Sequence, residues 1–137
     1  MDRVYAGIDF GTSNSTVGLA DAAGAALIAL EDGLPTLPLA VFFEADGAPP
    51  RFGRAAIAAY LEGDEGRLMR GLKSTLGSAM LDARTAVGRR AVRFREVLQR
   101  FIAHLRDRLD LARPGLRRAV FGRPVHFVDD DPAADLA

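Results

Sequence analysis

Residues 7–16 read GIDFGTSNST, and the order of residue types in this stretch decides how the rest of the chain is read. An apolar segment with Val4, Tyr5, Ala6 and Ile8 runs into Asp9. Small turn formers follow (Gly11, Thr12, Ser13, Asn14), and a second extended segment runs from Ser15 to Gly18. Extended runs on either side of such a cluster predict a β-hairpin. Gly11 lets backbone approach a ligand closely, and successive N–H groups of a tight turn can converge on one anion, a nest that suits phosphate oxygens. Thr12, Ser13 and Asn14 add short donors to the rim. Asp9, at the end of the first strand, is placed to hold a divalent cation through water, the usual way Mg²⁺ is kept beside phosphates. An ordinary polar turn with an incidental aspartate draws on the same residue types. On the residues alone, both readings stand.

Composition narrows the context. At 137 residues and 49% hydrophobic, the chain is sized for one domain with a real core. Its 18 basic and 18 acidic residues cancel, so there is no electrostatic ground for nucleic acid or an anionic membrane as partner. No run approaches the ~18 apolar residues of a membrane span. The start MDRVYAGID lacks a signal-peptide pattern, and the absence of cysteine removes disulfides and thiolate chemistry, so a cytoplasmic location is expected. Neither a G-x-x-x-x-G-K-[ST] P-loop nor a G-x-G-x-x-G dinucleotide fingerprint occurs. Every basic residue is arginine except Lys73, which singles that position out.

Along the chain, residues 4–10, 15–20 and 25–31 read as three consecutive strands, with turns at 20–23 and 31–35. Pro35, Pro38, Pro49 and Pro50 confine 39–44 to a short or edge strand, turned by Asp46 and Gly47. Helices are expected at 53–61 and at 65–76, the second capped by Asp64 and stopped at Gly77. Residues 77–90 read as irregular. A long helix begins near Phe94, where Val97, Leu98, Phe101, Ile102, Leu105 and Leu109 form one apolar stripe and Pro114 with Gly115 ends it. Residues 119–128 read as a buried strand. Asp131 and Pro132 open a further helix that has almost no sequence behind it, so a truncated chain is expected.

GIDFGTSNSTVGLAD closely resembles the first phosphate-binding hairpin of the actin-like ATPase superfamily. Within it, the match is to the seventy-kilodalton heat-shock chaperones, whose chains open with a similar D-[LF]-G-T-[ST]-N-S string. The short stretch between Gly77 and Phe94, with LKSTLG and GRPVHF, looks most like the YegD-type bacterial branch, which lacks the usual peptide-binding domain. The resemblance implies an α/β, ribonuclease H-like fold: the truncated first-lobe subdomain of an actin-like ATPase, a mixed sheet with flanking helices. Residues 1–34 and 91–137 would form the core subdomain and 35–90 an inserted one. It also implies ATP or ADP with Mg²⁺ as cofactors. Asp9 would organise the metal through water, and Gly11, Thr12, Ser13 and Asn14 would cradle the β- and γ-phosphates.

Lys73, in GLKSTLG, resembles a lysine that the heat-shock ATPases carry on a similar helix in a K-x-x-[IL]-G context, close to the nucleophilic water and the γ-phosphate. The resemblance therefore gives Lys73 a catalytic role beside Asp9. Phosphoryl transfer depends on positioned charge of this kind, and a guanidinium does not freely replace a compact ammonium. A solvated helix lysine is the ordinary alternative. Pro124, in VFGRPVHF, resembles the family's nucleotide-state relay proline; strand termination is its plain reading. The family's arginine a few residues on has no counterpart here. Thr36 and Pro38 resemble the entry to the inserted subdomain. His104 and His126 read as structural, and Asp129, Asp130 and Asp131 as a solvated cap.

By itself such a chain is expected to be a poor enzyme that contributes to ATP hydrolysis only in the full-length protein. Client proteins or co-chaperones would be met through that parent, and self-association through an uncovered apolar face is expected. Two relatives share the hairpin: filament-forming actin homologues of the cell-shape type, which have no use for Lys73, and metabolite kinases, which transfer phosphate to a small molecule.

Overall fold

The computed structural model describes residues 4–75, 78–116 and 119–122. They build a mixed α/β fold from ten strands and two α-helices. Alternation in β1 (Tyr5–Phe10) turns Ala6, Ile8 and Phe10 inward and leaves Tyr5, Gly7 and Asp9 exposed. It pairs antiparallel with β2 (Asn14–Asp21), with Phe10 opposite Ser15 and Asp9 opposite Thr16. The far side of β2 takes two short strands, β3 (Gly24–Leu27) next to residues 18–21 and β4 (Thr36–Pro38) next to 14–16. The third strand is thus shorter than expected. The turn after it closes through the Leu34 N–H donating to the Glu31 carbonyl at 2.8 Å, with Asp32 and Gly33 both at positive φ.

A second sheet follows. β5 (Ala40–Glu44) is apolar along most of its length and pairs with β6 (Arg51–Phe52) on one edge and β7 (Gly66–Arg70) on the other. Between them, α1 (Arg54–Leu61) starts at Gly53 (φ 66) without a side-chain cap of its own. Glu31 supplies the cap from 23 residues away, accepting the Arg54 N–H at 2.8 Å and the Ala55 N–H at 3.1 Å. The Arg54 guanidinium reaches back to the Thr36 carbonyl at 2.8 Å and hydroxyl at 2.6 Å, tying α1 to β4.

β7 corrects the expected helix at 65–76. Arg, Leu and Met favour helix in isolation, but the open edge of β5 needs a partner. Gly66 fits there because a Cβ would meet the Phe43 carbonyl and the Phe42 ring. Asp64 is no N-cap either. Its N–H donates to the Ala59 carbonyl and that of Gly63 (φ 81) to Tyr60, both at 3.1 Å, a Schellman ending for α1. The stretch expected to be irregular holds a hairpin, β8 (Arg84–Val87) with β9 (Arg90–Arg93).

The long helix α2 (Phe94–Ala112) forms as its apolar period predicts. Val97, Leu98, Phe101, Leu105 and Leu109 are buried in one cluster with Ala6, Ile8, Phe10 and Val17, while Ile102 is half-buried. Val41, Phe43, Met69 and Leu72 join the same cluster, so both sheets contribute to it. After α2, strand β10 (Ala119–Gly122) lies parallel to β1, Ala6 beside Ala119 and Asp9 beside Gly122. The face of the first sheet away from α2 carries a shallow apolar depression of 510 Å³ floored by Gly7, Gly18 and Ala20 and bordered by Tyr5 and Leu27. The expected strand beyond residue 122, Pro124, His126, the three aspartates at 129–131 and the helix start at Pro132 lie outside the described residues. Among the described residues no helix is long and apolar enough to cross a membrane.

Two outcomes follow from the packing. Glu31→Ala should cost about 1–2 kcal/mol in urea denaturation, because α1 loses its cap. His104 stacks on Phe52 at 4.4 Å, and burial first, then Arg108, hold its imidazole below the ordinary value of 6.5. The folded chain therefore resists protonation that the unfolded chain accepts. Stability linked to His104 is complete above about pH 6.5 and falls as the pH drops from there through the lower folded value; His104→Gln should flatten that slope.

Candidate functional site

The loop joining β1 to β2 is three residues long, and its shape depends on Gly11. The Gly11 N–H donates to the Asn14 carbonyl at 3.1 Å, and a Cβ at Gly11 would overlap that same oxygen. From the other side the Leu39 N–H donates to the Ser13 carbonyl at 2.9 Å, and Asn14 lies opposite Pro38 of β4. The turn is thus braced on its backbone while Thr12, Ser13 and Asn14 stay exposed.

Lys73 meets this hairpin from a distant part of the chain. After Gly71 (φ 64), residues 72–75 form a short 3-10 helix, and not the longer α-helix expected there. Leu72 is buried in the common cluster and anchors the segment, which turns Lys73 inward to 8% exposure. Its Nζ donates to the carbonyl of Phe10, 63 residues earlier, and lies 5.4 Å from the centre of the Phe10 ring. That ring packs in turn on Phe101 of α2, 5.9 Å between centres. Among the described residues no carboxylate lies within ion-pair distance of the ammonium, although the chain is rich in acids.

The place where this happens is the carboxyl end of β1. Gly122 is the last described partner in parallel β10 and stands beside Asp9, so the Phe10 carbonyl is one residue beyond that ladder. Ligands of open α/β sheets bind outside the carboxyl ends of parallel strands, and here that end carries a glycine turn, exposed short donors and a cation with no ion-pair partner among the described residues. The chemistry it suits is the binding of an anion.

Asp9 is adjacent in sequence but looks the other way. The pleat sets it on the exposed face with Thr16 as its cross-strand neighbour, while Phe10 and Lys73 belong to the inner face. The structure therefore gathers Gly11, Thr12, Ser13, Asn14 and Lys73 at one strand end and leaves Asp9 at its outer margin. Among the described residues no group of three or more His, Cys, Asp or Glu could hold a metal ion. A cation at Asp9 would have to keep most of its water, which Mg²⁺ does readily.

Ser15, the first buried residue after the turn, is a neighbour of the site that sequence reasoning did not single out. It is fully buried between Phe10 and Leu37 in the ladder, and its hydroxyl oxygen has no hydrogen-bond partner among the described residues. Strand alternation alone would have turned it inward. Elsewhere, a 410 Å³ surface hollow lined by Glu44, Asp46, Asp64 and Glu65 is partly neutralised by Arg51, 3.2 Å from Glu44 and 3.7 Å from Asp64. Compared with known protein families and with curated proteins, the chain matches none.

Gly11→Ala tests the turn. The added methyl has to open the Gly11 to Asn14 bond, so stability should fall by on the order of 1–3 kcal/mol and the Gly11 amide should lose protection from hydrogen exchange. A variant as stable and as protected as the parent would contradict the turn geometry.

Proposed function

We propose that this chain supplies the phosphate-binding hairpin and the catalytic lysine of an ATP-hydrolysing lobe of the seventy-kilodalton heat-shock type, working in the cytoplasm. The fold would be the beginning of the ribonuclease H-like arrangement, as the meander β1 to β3, the long helix α2 and parallel β10 suggest. One observation carries the reading. The chain's single lysine, placed by a segment 63 residues away, is buried at the base of the Gly11 turn and has no described carboxylate to neutralise it. A lysine without such a task would leave its ammonium in water, since burying a charge is costly unless something compensates it.

In this reading the Thr12 and Ser13 amides and hydroxyls hold β- and γ-phosphate oxygens, while Gly11, its own N–H given to the Asn14 carbonyl, shapes the turn. Lys73 leaves or shares the Phe10 carbonyl to meet the charge that develops on the transferred phosphoryl group. Asp9, at the margin, is the residue that would hold a hydrated Mg²⁺. When bound, the metal would neutralise phosphate charge. The position of Lys73 also favours hydrolysis over the filament-forming reading, which gives that residue no purpose.

The test is an amide NMR titration of the chain with Mg-ATP. Gly11, Thr12, Ser13 and Asn14 should shift with a dissociation constant on the order of millimolar, because one hairpin and one lysine provide few contacts and each 1.4 kcal/mol is tenfold in affinity. Asp9→Asn should weaken the response to Mg-ATP, and AMP should leave the hairpin silent. A folded sample whose hairpin ignores Mg-ATP, or answers AMP equally, would refute the proposal.

A further inference from the structure

The hairpin of β8 and β9 gathers arginines that form no ion pair among the described residues, although Arg95 first, and then Arg93, hold the Asp82 carboxyl below its ordinary value. Arg84 stands directly opposite Arg93, and Ala86 opposite Ala91. Thr85, Val87 and Val92 are buried, so the pleat leaves Arg84, Ala86, Ala91 and Arg93 on the solvent side. At the tip, Gly88 (φ 59) opens a two-residue turn whose second member is the exposed Arg89. Arg90 is set apart, its guanidinium over the Phe43 ring at 5.8 Å.

Among the described residues Arg84, Arg89 and Arg93 make no ion pair, whereas Arg95, just beyond, is held by Asp82 at 3.0 Å. Like charges directly opposite one another weaken an antiparallel pair. Arg84 and Arg93 accept this repulsion in a chain that carries as many acids as bases. An arrangement that repels itself when empty is relieved when an anion bridges it.

We propose that the outer face of this hairpin docks an acidic, extended peptide segment of a partner protein. Arg84 and Arg93 form a pair of guanidinium forks, a geometry that matches carboxylates in bidentate fashion. Arg89, exposed in the turn at the hairpin tip, adds a third guanidinium at the far end of the same hairpin. Ala86 and Ala91 between the two ends carry no bulk, so a peptide backbone can lie close. Nucleic acid fits less well: the exposed positions of the hairpin hold no aromatic ring for base stacking.

The probe is a fluorescein-labelled peptide with glutamate at alternate positions, read by fluorescence anisotropy on the full chain at low salt. A thymidine oligonucleotide of equal charge is the comparison. The peptide should bind and perturb the Ala86 and Ala91 amides. The double variant Arg84→Gln, Arg93→Gln should weaken binding at least about tenfold, and Arg106→Gln, on the exposed side of α2, should not. Raising salt should weaken the complex. Because the double variant removes repulsion, its fold should persist, which its amide spectrum checks. The proposal fails if the peptide does not bind, if the double variant binds it as well as the parent, or if the oligonucleotide binds as tightly as the peptide.

Discussion

An ammonium group drawn out of water has to be compensated, and in this chain the partner is the last carbonyl of β1. Lys73 can reach it only if three things hold together. β1 must present Phe10 inward, α2 must back the Phe10 ring with Phe101, and Leu72 must anchor the short 3-10 segment in the shared core. Each is an instance of ordinary apolar burial. Their joint result is a cation held at the carboxyl end of a strand, beside a turn whose glycine cannot be replaced without collision.

The two sheets are joined by more than apolar contact. Glu31, in the turn before β4, caps α1, and Arg54 of α1 bonds back to Thr36. Thr36 stands next to Thr16 in the β2–β4 ladder, and Thr16 next to Asp9 in the β1–β2 ladder. A change at the Asp9 margin is therefore three strands from the start of α1, through residues that share one face of the sheet. The first sheet and the second body of the chain are in this way mechanically connected near the candidate site.

Much of this was legible in the sequence, for physical reasons. The stripe of α2 runs from Val97 to Leu109, about three turns at 3.6 residues each, long enough for periodicity to identify it. The Gly11 turn announces itself by residue type, and the turns at 31–34 and 46–47 by their Asp-Gly pairs. β7 was misread because five residues with good helix formers carry too little pattern to outweigh propensity, and the need of β5 for an edge partner is visible only in three dimensions. β8 and β9 escaped because arginines opposite arginines break the usual signature of a paired strand. The destination of Lys73 is a contact across 63 residues, which no local pattern encodes; its rarity and the family resemblance pointed to it, while the buried Ser15 hydroxyl gave no signal beyond alternation.

Since Lys73 is the chain's one lysine, selective ¹³C labelling of lysine gives a single side-chain signal that reports whether its ammonium is drawn in to the end of β1. Its ε-methylene protons should be shifted upfield by the Phe10 ring and show nuclear Overhauser contacts to that ring. A sharp signal at the position of a free, solvated lysine in a folded sample, without contacts to Phe10, would contradict that placement of Lys73.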